Sequence, residues 1–95
     1  MAGYDQLLGR GHDDEGLHAA RGHVLHAMGR MEDAAQAFRA ALAIGPRTAD
    51  AYNRLGVVLF QAGDVLGARS SFERALVLQP DHDDAGANLS ALPAA

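Results

Sequence analysis

No cysteine occurs among the 95 residues, which excludes disulfide bridges, thiolate metal sites and cysteine nucleophiles. Lysine and tryptophan are missing as well. All eight basic residues are arginines, spread from Arg10 to Arg74 against twelve acidic residues, for a formal charge of −4. Phosphate backbones are held by clustered positive charge, so no nucleic-acid partner is expected. No apolar run approaches the roughly 18 residues of a membrane-spanning helix, and residues 1–16 have neither the basic start nor the apolar stretch of a signal peptide. A cytoplasmic location and no membrane partner are the corresponding expectations. Aromatic residues number only five: Tyr4, Phe38, Tyr52, Phe60 and Phe72. Much of the 48% hydrophobic fraction is alanine, which suits close helix packing better than a sheet, where β-branched and aromatic residues dominate.

The chain does possess a period. A shift of 34 residues places Gly22 on Gly56, Val24 on Val58, Leu25 on Leu59, Gly29 on Gly63, Ala34 on Ala68, Phe38 on Phe72, Ala41 on Ala75, Leu42 on Leu76 and Pro46 on Pro80. A repeat of this length is a supersecondary unit that buries its apolar face only by stacking on copies of itself. In the second copy Tyr52, Leu55, Gly56 and Leu59 recur at helical spacing, which predicts a helix from Ala49 to Ala62. Gly63-Asp64 interrupts it. A second helix is expected over Val65–Leu78, with Ala68, Phe72, Ala75 and Leu76 inward, until Pro80 ends it. One period earlier the same reading gives helices over Glu15–Met28 and Met31–Ile44 and a stop at Gly45-Pro46. Asp81, Asp83 and Asp84 place negative charge at a helix start, so a last helix is expected at 83–92, with Ala85, Leu89 and Leu92 inward. Tyr4 lies one period before Phe38 and Leu8 one before Leu42, so residues 2–12 read as a partial preceding helix and its exit. The expected organisation is one domain, 1–95, with repeats at 15–48 and 49–82, a capping helix at 83–92 and a tail at 93–95.

With Tyr52, the Leu55-Gly56 pair, Leu59, Ala68, Phe72, Ala75 and Pro80 in register, the chain resembles the tetratricopeptide repeat family. The first copy keeps Gly22, Leu25, Ala34, Phe38, Ala41 and Pro46, but has His18 where Tyr52 stands and Arg21 where Leu55 stands. The resemblance implies an all-α fold, an α-α superhelix or solenoid of antiparallel helix hairpins. It further implies that the first helix of each hairpin lines a concave groove that binds proteins rather than catalysing a reaction. The Ala, Arg and Gly bias, which GC-rich coding produces, points to a bacterial-type source.

If Tyr52, Leu55, Gly56 and Leu59 face inward, another face of that helix carries Asn53, Arg54, Val57 and Gln61, with Phe60 at its edge. Carried one period each way, the stripe adds His23, His26 and Asn88. The candidate peptide-binding groove is therefore His23, His26, Asn53, Arg54, Val57, Phe60, Gln61 and Asn88. Arg54 between two asparagines suits a ligand carboxylate; equally, Arg54 pairing with Asp50 or Asp84 makes an ordinary solvated face. Phe60 is either a partner anchor or packing for the next helix. His23 and His26 share a face, but two imidazoles are too few for zinc, so no metal and no cofactor are expected. Ser70-Ser71 has no His or Asp partner in sequence reach, and no catalytic set emerges. The partner is a protein or peptide, or else a second copy meeting the apolar end faces to form a homodimer or array.

Overall fold

Two glycines one period apart make the tight turns of the fold. Gly29 and Gly63 have φ of +80° and +94°, a region that a Cβ disfavours. Each ends a helix in the same way. The amide of Gly29 donates to the His26 carbonyl and that of Arg30 to Leu25; Gly63 donates to Phe60 and Asp64 to Leu59. The computed structural model describes residues 15–45 and 47–93. The expected helix at 2–12, Pro46 and residues 94–95 lie outside the described residues.

Among the described residues five helices follow in order: α1 (Glu15–Ala27), α2 (Met31–Ile44), α3 (Ala49–Gln61), α4 (Val65–Leu78) and α5 (Asp83–Ala91). Their bounds agree with the sequence expectation to within a residue. α1 packs on α2 and α3 on α4 as hairpins; α2 packs on α3, and α5 lies against both α4 and α3. No strand is formed among the described residues, and no described helix is long and apolar enough to cross a membrane. The architecture is the expected all-α stack.

Small and large residues alternate across the hairpins. A Cβ on Gly22 would stand 2.8 Å from the Phe38 ring and one on Gly56 2.5 Å from the Phe72 ring, so each aromatic packs directly against bare backbone. Phe38 and Phe72 join Leu42, Leu55, Val58 and Leu59 in one buried cluster, with Ala34, Ala35 and Ala68 filling the narrow spaces. A smaller cluster of Ala49, Ala75 and Ala85 seats the last helix. Leu89 and Leu92 pack on the main cluster but remain half-buried. Leu92 is extended (φ −70°, ψ 145°), as a residue before proline prefers, and ends α5. The Arg69 Nη2 donates to the Pro93 carbonyl at 2.7 Å, fastening the chain after α5 to α4.

The start of α5 carries the expected negative charge but is capped by another residue. None of the three aspartates caps it. Asp83 and Asp84 lie in its first turn, where they complement the helix dipole, while His82 is the cap: its Nδ1 accepts the Ala85 amide at 3.0 Å. That bond leaves the ring proton on Nε2, which donates to Asp50 Oδ1 on α3 at 2.6 Å. An aspartate reaches only its own helix end, whereas an imidazole presents two opposed nitrogens and ties α5 to α3 as well. His82 is buried at 8% exposure while Asp50 remains exposed. The His82 hydrogen bond holds the Asp50 carboxyl below its ordinary value, against an opposing effect of desolvation and with a lesser contribution from the Arg54 guanidinium. Because the folded value is the lower one, the stabilisation from Asp50 is present above about pH 4 and is lost as pH falls through the depressed value. Urea titration should show His82→Ala costing about 1 kcal/mol by loss of the cap, and His82→Asn restoring most of that while leaving Asp50 unshifted.

Candidate functional site

α1 and α3 are the first helices of the two hairpins and α5 follows the second, and polar side chains link the three across one face. His26 on α1 meets Gln61 on α3, Nε2 to Oε1, at 2.6 Å. Asn53 on α3 accepts from Asn88 Nδ2 on α5 at 2.9 Å. Both pairs are 35 residues apart, one more than the period, so the same step up the stack is bridged twice. The carboxamides hold each other, and Asn53 and Asn88 are half-buried as a result.

Between these bridges lie two recesses that share Val57. One, of about 210 Å³, has Phe38 and Val58 as apolar lining and His23, His26, Asn53 and Arg54 around it. The other, of about 160 Å³, is lined by Phe60, Gln61 and Asn88 together with Phe72, Ala91 and Leu92. All eight residues that the sequence assigns to the groove thus line one or other of two adjoining concavities. Each is smaller than the roughly 300–1,000 Å³ of pockets that enclose a whole small molecule. A single side chain is the scale that fits.

The individual residues divide by what they already touch. The ring of His23 stands edge-on to Phe38 at 5.2 Å between centroids and 81° between planes, while His26 is engaged by Gln61, so the two imidazoles are committed to different partners. Arg54 is exposed and makes no ion pair among the described residues, with Asp50 or Asp84 its expected mate; Asp50 is bonded by His82. Phe60 is 45% exposed, so it covers part of a recess without being absorbed into the core. Ser71 is buried and Ser70 exposed, on α4 and away from these recesses.

A family model for the tetratricopeptide repeat matches residues 19–87. The chain belongs to the tetratricopeptide repeat family. Tetratricopeptide repeats are protein–protein interaction modules, typically without catalytic function, and this protein shares that general role. No curated protein matches the chain. As a tetratricopeptide repeat protein it departs from its own second repeat in the first: Arg21, at the position of buried Leu55, is exposed, and His18 is half-buried.

Two features were not recognised from sequence. His82 was legible in principle, since the period places it on Thr48, which caps α3 by accepting the Ala51 amide at 3.1 Å. Histidine is simply not among the usual capping residues. The second is a recess of about 460 Å³ outside the groove, where Arg47, from the α2–α3 connection, and Tyr52 face Arg74, Val77 and Leu78 of α4. Arg47 is held there by donation from Nε to the Leu42 carbonyl at 3.1 Å. No periodic signal marks it, because its one-period counterparts include Ala40 and Ala43 in place of Arg74 and Val77.

Proposed function

We propose that this tetratricopeptide repeat protein binds a peptide or a partner helix across the face of α1, α3 and α5, using His23, His26, Asn53, Arg54, Val57, Phe60, Gln61 and Asn88. The observation that carries this reading is the pair of adjoining side-chain-sized recesses on either side of Val57. Consecutive recesses suit consecutive side chains of one segment, a requirement that a compact small molecule does not impose. The half-exposed Phe60 ring offers an aromatic contact at the edge of one recess, and aromatic residues beside a pocket are frequent anchors of interfaces. Arg54 has a guanidinium without an ion-pair partner among the described residues and suits an acidic group on the bound segment.

A displayed library of random peptides, selected on the intact protein, tests this directly. Selected peptides should lose at least about tenfold in affinity with Arg54→Ala/Phe60→Ala, since each anchor is worth roughly 1 kcal/mol or more. They should be indifferent to Leu66→Ala on α4, which is exposed and outside both recesses. Unchanged affinity in the double variant would place binding elsewhere, with the recess beside Arg47 and Arg74 as the next surface to mutate.

A further inference from the structure

Three residues of the second repeat break the period in one place. Where Arg47 stands before α3, the sequence has Asp13 one period earlier and Asp81 one period later; where α4 has Arg74 and Val77, α2 has Ala40 and Ala43. The two hairpins close on the same glycine–ring contact, so packing within a hairpin does not call for these three. All three nevertheless line the same recess of about 460 Å³, with Tyr52, Glu73 and Leu78 beside them.

The charges of this recess are not balanced within the fold. Its lining holds two guanidiniums and one carboxylate, in a chain whose formal charge is −4. Neither Arg47 nor Arg74 makes an ion pair among the described residues. The positions three and four residues from Arg74 along α4 are Ser70, Ser71, Val77 and Leu78, so no acidic neighbour stands at pairing distance on its own helix. Arg47 is held in place: its Nε satisfies the Leu42 carbonyl in the last turn of α2, and its two Nη groups remain for another acceptor. A fixed fork gives up less freedom on meeting a carboxylate than a free one. Next to these charges is bare apolar surface, Val77 being 80% exposed and Leu78 51%.

We propose that this recess is a second binding site, separate from the α1–α3–α5 face, for a segment of a partner protein in which an aspartate or glutamate adjoins a large aliphatic residue. The carboxylate pairs with Arg74 and Arg47, and the aliphatic side chain lies on Val77, Leu78 and the Tyr52 ring. One carboxylate offsets the excess positive charge of the lining, whereas a phosphate dianion brings a charge too many. The volume reaches that of pockets for small molecules, but the recess is open to solvent, so a chain can run through it and contribute an internal side chain.

NMR titration of the intact protein with a short blocked peptide, Glu-Leu at its centre and serine and glycine elsewhere, tests the proposal. Saturable shifts are expected at the Nε–H groups of Arg47 and Arg74 and at the methyls of Val77 and Leu78, while the carboxamides of Asn53 and Asn88 stay unmoved. Arg74→Ala and Val77→Ala, which give α4 the residues of α2, should each weaken binding about fivefold or more, as should Gln-Leu or Glu-Ser in the probe. Both substituted residues are exposed, so the fold is kept, as far-ultraviolet circular dichroism would verify. No shift at these groups, shifts at Asn53 and Asn88 instead, or affinity indifferent to Arg74→Ala would each overturn the proposal. So would acetate binding as tightly as the peptide, which would leave a site for bare anions only. A Gln-Leu peptide with a free C-terminal carboxylate that bound as tightly as the blocked probe would overturn it too, by making a chain end the occupant.

Discussion

Phe72→Ala is expected to be the most damaging truncation in the chain. The Phe72 ring is 2% exposed, one of the two largest fully buried side chains, in one cluster with Leu55, Val58 and Leu59 of its own hairpin and Phe38 and Leu42 of the other. Its edge also lines the recess beside Asn88 and Leu92, so its loss opens a cavity continuous with the candidate groove. Removing a buried phenyl costs about 3–5 kcal/mol, transfer and cavity terms together. Against a total stability of roughly 0.05–0.15 kcal/mol per residue, little or nothing remains in a chain of 95. A thermal melt should fall by about 12 °C or more. Phe38→Ala, one period earlier, should cost less: its ring is buried in the same cluster, but it belongs to the hairpin whose outer side, with Val24 and Met28, is exposed in the described structure. Equal losses at the two positions, or a fall at Phe72 of only a few degrees, would contradict the central place given to this ring.

The second large effect is a reversal of sign between two glycines. In an open helix, alanine is favoured over glycine by about 1 kcal/mol. Gly86 on α5 has no atom within 4 Å of an added Cβ, so Gly86→Ala should stabilise by that order. At Gly56 an added Cβ meets Cε1, Cδ1 and Cζ of Phe72 at 2.5, 2.7 and 2.9 Å. The ring is locked in the core and cannot swing aside, so the clash outweighs propensity and Gly56→Ala should destabilise. Gly56→Leu should separate α3 from α4 and leave the chain largely unfolded. Overpacking typically costs about 1–3 kcal/mol, and a leucine placed against a ring from bare backbone lies at or beyond the upper end. Pairing Gly56→Ala with Phe72→Leu should recover part of the loss, which a double-mutant cycle measures. A Gly56→Leu variant as stable as the wild type would show that the hairpin does not need this close approach.

Much of the fold was legible because the repeat states the same helical pattern twice. Gly22 with Phe38 and Gly56 with Phe72 are each 16 residues apart, and each pair proved to be a ring on bare backbone. The breaks at Gly29 and Gly63 were likewise readable, since both occupy positive φ. The groove was legible only as a face. Helical spacing put Asn53, Val57 and Gln61 on one side of α3, but the bonds of Asn53 to Asn88 and of His26 to Gln61 depend on how far each hairpin is offset from the next. That offset has no signature in a period. The two readings of Arg54 illustrate the same limit: no ion pair between Arg54 and Asp50 forms among the described residues, and Asp50 is bonded instead by His82, 32 residues further on.

By itself the sequence determined the 34-residue unit, the helices and their ends, and the family. These are local properties, set by which residues recur along a helix and by which positions tolerate a missing side chain. Only the tertiary structure decided that a histidine and not an aspartate caps α5, that the groove residues gather into two recesses about Val57, and that a further recess opens beside Arg47 and Arg74. Those depend on the rotation and shift between hairpins, a sum of many weak contacts that places side chains more than 30 residues apart within reach of one another.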